Sequence, residues 1–215
     1  MKNILTSWLA DDGEKKIFLL RHGSLQTADN EKRFIGQTDL SLSEKGRRQA
    51  KFWSRQLIDW PLDAIFCSDL QRCRETADVI AQKNRAVITP LAEFREINLG
   101  QWEGMRFDQV KQLYPDAFAQ RGRDIAGFRP PGGESFNDLQ QRVVRVFERQ
   151  VGRNDGNLLF VGHAGVNRVL LCHLLGMPTA NLFRIDQGPA ALNILDRRPG
   201  GIRPQCVNLL PDPDL

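Results

Sequence analysis

Short apolar runs alternate with stretches whose apolar residues recur every three or four positions, and this constrains the chain more than any other feature. The runs are residues 17–20 (IFLL), 64–67 (AIFC), 87–89 (VIT, stopped by Pro90) and 158–161 (LLFV). Residues 192–195 and 206–210 are candidate late strands. Runs this short, without polar alternation, fit strands covered on both faces. Between them lie helical patterns. Ala50, Trp53 and Leu57 follow Ser43, and Leu70, Cys73, Ala77 and Ile80 make a second set. Phe107, Val110, Tyr114 and Phe118 predict a third helix. Ser135, with Asp138 three residues on, is a candidate N-cap for a helix carrying Phe136, Leu139, Val143, Val146 and Phe147. A last helix over about 166–175 is ended by Gly176 and Pro178.

Strand alternating with helix predicts an α/β domain: a three-layer α/β/α sandwich on a largely parallel sheet. Residues 1–16 are expected to form an N-terminal extension and 17–215 a single domain. The segment 95–133, closed by the loop Pro130-Pro131-Gly132-Gly133, interrupts the alternation. It is expected to be a helical lid inserted over one end of the sheet.

Composition matters mainly for what it excludes. The net charge is +4, from 30 basic and 26 acidic side chains scattered along the chain. That surplus suits a small anionic substrate and lacks the dense basic footprint of a nucleic-acid binder. No stretch reaches the roughly 20 apolar residues of a membrane span, and the first 16 residues are too polar for a signal segment. Cys67, Cys73, Cys172 and Cys206 form no C-x-x-C pair. Free thiols in a reducing cytoplasm are therefore expected. No feature specifies an oligomer.

Ligands of open α/β sheets bind beyond the carboxyl ends of the strands, so the residues that follow each run are the candidates. Arg21-His22-Gly23 follows the first, Ser68-Asp69-Leu70-Gln71-Arg72 the second, and Gly162-His163-Ala164-Gly165 the fourth. Two of the chain's 3 histidines thus emerge at one sheet edge beside two arginines. Guanidinium groups match phosphate oxygens through charge-assisted hydrogen bonds. A neutral imidazole is a nucleophile near neutral pH, and nearby arginines disfavour its protonation. Gly23 is expected to let the backbone approach an oxyanion. Zinc held by the two histidines with Glu96 or Asp69 is the rival chemistry, and two adjacent guanidinium cations argue against it. No metal or cofactor is expected.

The blocks LLRHGS, CSDLQRCRETA, REINLGQWEG, PPGGESF and VGHAGV, in that order, resemble the signatures of the histidine phosphatase superfamily, also called phosphoglycerate-mutase-like. The resemblance runs from about residue 17 to 195. It implies that His22 becomes phosphohistidine, that Arg21 and Arg72 clamp the phosphate, and that His163 donates a hydrogen bond to it. By the same resemblance Glu96 protonates the leaving group and then activates water, and Gln37 lies within reach of the phosphate. Ser24 and Ala28 depart from the family pattern, with Asn30 a nearby substitute for an expected asparagine. The direct passage of REINLGQWEGMRFDQV into a helix resembles the phosphatase branch, which includes α-ribazole-phosphate phosphatases. The expected activity is hydrolysis of a small phosphorylated metabolite, α-ribazole 5′-phosphate foremost. A phosphoglycerate mutase and a catalytically weak phosphate-binding regulator are the alternatives.

Overall fold

A computed structural model describes residues 4–7, 15–26, 31–198 and 200–212. Six strands form one sheet: β1 (Lys15–Arg21), β2 (Ala64–Ser68), β3 (Val87–Leu91), β4 (Leu158–Gly162), β5 (Leu192–Arg198) and β6 (Gly201–Leu209). Their order is β3-β2-β4-β1-β5-β6. The first four in that order pair in parallel. β5 pairs antiparallel with β1, and β6 antiparallel with β5. The sheet is therefore mixed, mostly parallel, with a hairpin at one edge.

Both faces of the strands are covered, which explains the unbroken apolar runs. Ile17 and Leu19 of β1, with Leu158 and Phe160 of β4, pack on one side. That side holds α5 (Phe136–Arg153) and α6 (Ala164–Leu174). Phe18 and Leu20, with Leu159 and Val161, face the other side. There α1 (Glu44–Gln56) and α2 (Gln71–Asn84) contribute Trp53, Cys73 and Ala77. The three-layer architecture follows from this alternation of side-chain direction.

Several expectations shift in detail. The pattern through Phe107 and Phe118 is two helices, α3 (Phe107–Leu113) and α4 (Pro115–Arg123). Pro115 has no N–H to continue α3 and disfavours the helical conformation of Tyr114, so the chain turns there and restarts with proline at the first position. Pro90 does not stop β3, because β3 is an edge strand and its ladder loses nothing from a missing donor. The first strand starts at Lys15 rather than residue 17. Within the expected extension, Leu5 is buried against the α1 side of the sheet, and the Ile4 N–H donates to Gln56 Oε1 at 2.7 Å. Ser135 caps α5 as expected, in a reciprocal capping box with Asp138.

Residues 95–133 hold α3, α4 and a short turn at Gly100–Trp102. Trp102 is fully buried among Phe34, Tyr114 and Phe128. That aromatic cluster anchors the segment beside the carboxyl ends of the parallel strands. Among the described residues, no helix is long and apolar enough to cross a membrane.

Candidate active site

Adjacent strands β1 and β4 end side by side, with Arg21 in register with Gly162. The His22 N–H donates to Gly162 O at 3.0 Å, and His22 O accepts from the Ala190 N–H at 3.0 Å. The backbone of His22 is thus held by β4 on one side and by the turn that leads into β5 on the other. Its ring Nδ1 lies 2.8 Å from Gly23 O. A carbonyl only accepts, so Nδ1 carries the proton and Nε2 keeps its lone pair. Burial, then the charges of Arg21 and Arg72, hold His22 well below the usual histidine range. The imidazole is neutral and nucleophilic at neutral pH.

His163 is also buried, its ring centroid 5.2 Å from that of His22. Arg72 Nε donates to His163 Nδ1 at 3.2 Å. That bond fixes the opposite tautomer: Nε2 carries the proton, 3.5 Å from the Cys73 sulfur. Burial, Arg72, His22 and Arg21 hold His163 neutral as well. The pair therefore presents one nucleophilic nitrogen and one N–H donor.

Arg72, on the first turn of α2, does not pair with Glu75, which takes Arg47 at 2.9 Å and Gln71 at 2.8 Å instead. Its guanidinium donates to Thr38 O at 2.7 Å and Gly36 O at 2.6 Å. Arg21 donates one N–H to Gln187 O at 2.7 Å, while its buried Nε has no hydrogen-bond partner. Burial pulls Arg21 down to about 10, which leaves it cationic at neutral pH. Two desolvated cations and an orphaned donor make this cluster a place for an anion.

Glu96 is buried, and its oxygens accept from the Ile97 N–H at 3.0 Å and the Gly165 N–H at 2.9 Å. The second bond seats the carboxylate on the N-terminal turn of α6, next to His163. A side chain at Gly165 would bring Cβ to 2.3 Å from Glu96 Oε1, so glycine is required there. Gln37 Nε2 donates to the Glu96 backbone carbonyl at 3.0 Å. Its side chain meets the Glu96 segment in this structure.

Three supports escaped the sequence. Glu103 Oε1 accepts from the Gly36 N–H, the Thr38 N–H and the Thr38 hydroxyl at 2.8, 3.0 and 2.7 Å, and Oε2 accepts from the Gln37 N–H. It shapes the loop whose carbonyls hold Arg72. Arg142 of α5 donates to Glu93 O at 2.6 Å and Arg95 O at 3.0 Å, bracing the segment that carries Glu96. Gln187 joins Arg21 to Asn167 and Asn193 in a buried amide network. Most of these bonds join positions far apart in the sequence, and each is made by an ordinary residue type with no local pattern to mark it.

The remaining candidates fall elsewhere. Asp69 is locked bidentately by Arg95 at 2.6 and 2.7 Å. His173 pairs with Glu148 at 2.9 Å on an exposed face. The Ser24 hydroxyl donates to Gln49 at 3.1 Å, whereas Ala28 and Asn30 lie outside the described residues. A Cβ at Gly23 would sit 2.5 Å from Gly46 O, against the first turn of α1, so the close packing of α1 also asks for glycine there. All four cysteines are free, and Cys206 is only half-buried.

The family model for the histidine phosphatase superfamily (branch 1) matches residues 17–210. The adenosylcobalamin/alpha-ribazole phosphatase of Salmonella typhimurium is 33% identical over 176 residues, covering 80% of this chain and 87% of that protein. A probable 2-carboxy-D-arabinitol-1-phosphatase of Arabidopsis thaliana is 30% identical over 200 residues, covering 91% of this chain, which spans only 41% of that relative's length. The solved mycobacterial glucosyl-3-phosphoglycerate phosphatase superposes with a TM-score of 0.81 at 28% identity, covering 90% of this chain and 98% of that one.

Proposed function

The chain belongs to the histidine phosphatase superfamily (branch 1), and from that premise we propose that it hydrolyses a small phosphomonoester through a phosphohistidine formed on His22. The observation that carries the reading is the pair of opposite tautomers, His22 with a free Nε2 and His163 with a protonated one, set between the buried guanidinium groups of Arg21 and Arg72.

In the first step the His22 Nε2 lone pair attacks phosphorus and the bond from phosphorus to the alcohol oxygen breaks. Arg21, Arg72 and the His163 N–H face the charge on the phosphoryl oxygens, where fixed donors contribute most. Glu96 serves as the acid that gives a proton to the departing alkoxide. In the second step Glu96 takes a proton from water, a phosphorus–oxygen bond forms, the phosphorus–nitrogen bond breaks, and His22 returns to its neutral form. The Gly23 carbonyl holds the His22 ring through Nδ1 in both steps. Gln37 acts by positioning the Glu96 segment. The positive charge comes from side chains, so the reaction needs no metal ion. Free thiols fit a cytoplasmic setting.

Relatives named as alpha-ribazole phosphatases make α-ribazole 5′-phosphate one ester to assay, and those named for carboxyarabinitol and glucosyl-phosphoglycerate esters supply others. The mechanism is tested by labelling the enzyme. Brief incubation with a labelled phosphoester should yield a base-stable, acid-labile phosphoprotein that His22→Ala lacks, with turnover unchanged by a chelator. Activity abolished by chelation and restored by zinc would reject it.

A further inference from the structure

Glu96 lies on backbone that belongs to no helix or strand, between the turns Ala92–Phe94 and Gly100–Trp102. Neither a ladder nor a helical turn fixes its place, so this strip of backbone must find its hydrogen-bond partners elsewhere in the fold. It finds them on α5 and just before it, and Arg142 is the centre of the contact. Arg142 Nη1 donates to Glu93 O at 2.6 Å and Arg95 O at 3.0 Å, and Nη2 donates to Glu96 O at 3.4 Å. Nε and Nη2 grip the two carboxylate oxygens of Glu134 at 2.9 and 2.7 Å. Together these bonds occupy every N–H group that a guanidinium has.

Glu134 closes the arrangement. Its Oε2 also accepts from the Asn98 N–H at 2.9 Å, and its own N–H donates to Asn98 O at 2.8 Å. The strip is therefore tied to α5 and its approach at residues 93, 95, 96 and 98. The Glu134 and Arg142 side chains are only 24% and 21% exposed, so salt screens the pair less than it would a surface pair. A bidentate guanidinium–carboxylate pair fixes direction as well as distance. The groups that hold the phosphate hang from other elements: Arg21 ends β1, the His22 N–H is bonded to Gly162 of β4, and Arg72 is on α2.

We propose that Arg142 and Glu134 are positioning residues for the acid Glu96, and that this clamp sets how poor a leaving group the enzyme can expel. The proposal rests on the phosphatase reading above and deepens it. A general acid must stand within hydrogen-bond reach of the oxygen it protonates. Misplacing such a group by about 1 Å costs on the order of 10²-fold in rate. Loosening the clamp shifts Glu96 and leaves His22, Arg21 and Arg72 where they are. The damage then appears only where the departing oxygen needs a proton. An alkoxide needs one, whereas p-nitrophenolate leaves without it.

The test compares kcat/KM, which reports transfer to His22, on two ester types. One is p-nitrophenyl phosphate. The other is whichever of 3-phosphoglycerate, ribose 5-phosphate and glycerol 1-phosphate the wild type uses best. Arg142→Met should lower the alkyl value by about 10- to 100-fold and the aryl value by less than about threefold. Glu134→Gln, which weakens the grip on Arg142, should show the same selectivity with a smaller loss. The Arg142 charge also reaches His163. Arg142→Lys keeps that charge without the fork, and should still lose about fivefold or more on the alkyl ester alone. In a Glu96→Gln background, Arg142→Met should cost the alkyl ester no more than the aryl one, because the group it positions is gone. Thermal unfolding checks that each variant folds, and Arg142→Lys with Glu134→Gln carries the test should Arg142→Met not fold. Equal losses on both esters, full alkyl activity in Arg142→Lys, or losses that add in the Glu96→Gln background overturn the clamp and leave the phosphatase reading standing. A wild type that forms no phosphohistidine and turns over no ester would sink that reading, and the clamp with it.

Discussion

Glu96 and Gly165 form a unit at the scale of single residues. The carboxylate sits on the α6 turn only because position 165 lacks a Cβ, which would come to 2.3 Å from Oε1. Gly165→Ala should therefore displace Glu96 while leaving His22, Arg21 and Arg72 in place. General acid catalysis contributes typically 10²–10⁴-fold. We expect Gly165→Ala and Glu96→Gln each to lower kcat/KM, which reports the first step and not the hydrolysis of the phosphoenzyme, by about that range on alkyl phosphates. The loss should be much smaller on p-nitrophenyl phosphate, whose leaving group needs no proton. Equal losses on both ester types would mean that Glu96 does not protonate the leaving group. The tautomers of His22 and His163 belong to this scale too. Each is set by one hydrogen bond to Nδ1, from a carbonyl acceptor in one case and a guanidinium donor in the other.

Between residue and molecule, the elements decide which groups converge. The loop 36–38 is a clear case, since its carbonyls hold Arg72 and its N–H groups are gathered by Glu103. Glu103→Gln keeps the shape but replaces an acceptor-only group by one with two donors, facing three backbone N–H groups. The substitution should cost about 1–3 kcal/mol of stability, the penalty for buried donors left unsatisfied. It should also raise KM for phosphoesters through a loosened Arg72, whereas a variant with lowered stability and unchanged KM would show that the loop and Arg72 are independent. The strands, their helices and the two imidazoles were legible in the sequence because each is a local signal: an apolar run, a period, a residue just past a strand end. The break at Pro115 was legible too, but the apolar spacing through Phe118 masked it. Glu103, Arg142 and Gln187 were not, because their partners lie 65, 49 and 166 residues away. The prolines show the same divide. Pro90 and Pro204 look like strand breakers in isolation, yet each sits on an edge strand, where they blunt the sheet against further pairing.

For the molecule as a whole, two neutral histidines buried between arginines couple folding to pH. Both are held well below their usual range by burial first. The unfolded chain binds protons at these sites near pH 6.5 and the folded one does not. Stability is then fully present above about pH 6.5 and falls as pH drops below it, with each imidazole contributing up to about 1.4 kcal/mol per pH unit. Carboxylates such as Asp69, held low chiefly by the hydrogen bond from Arg95, act in a different window. Their stabilisation persists above about pH 3.9 and is lost only as pH falls further. Between pH 4.5 and 6.5 the two histidines therefore dominate. With both contributing, the thermal midpoint should fall by roughly 5–11 °C per pH unit in that window, given about 2–4 °C per kcal/mol for a chain of this size. His163→Gln should roughly halve that slope, because glutamine keeps an acceptor for Arg72 and has no proton to gain. A slope unchanged by His163→Gln would place the acid sensitivity outside the site. A flat wild-type profile would mean that the cluster admits enough water to hydrate a protonated imidazole, and the neutral nucleophile would then lose its physical basis.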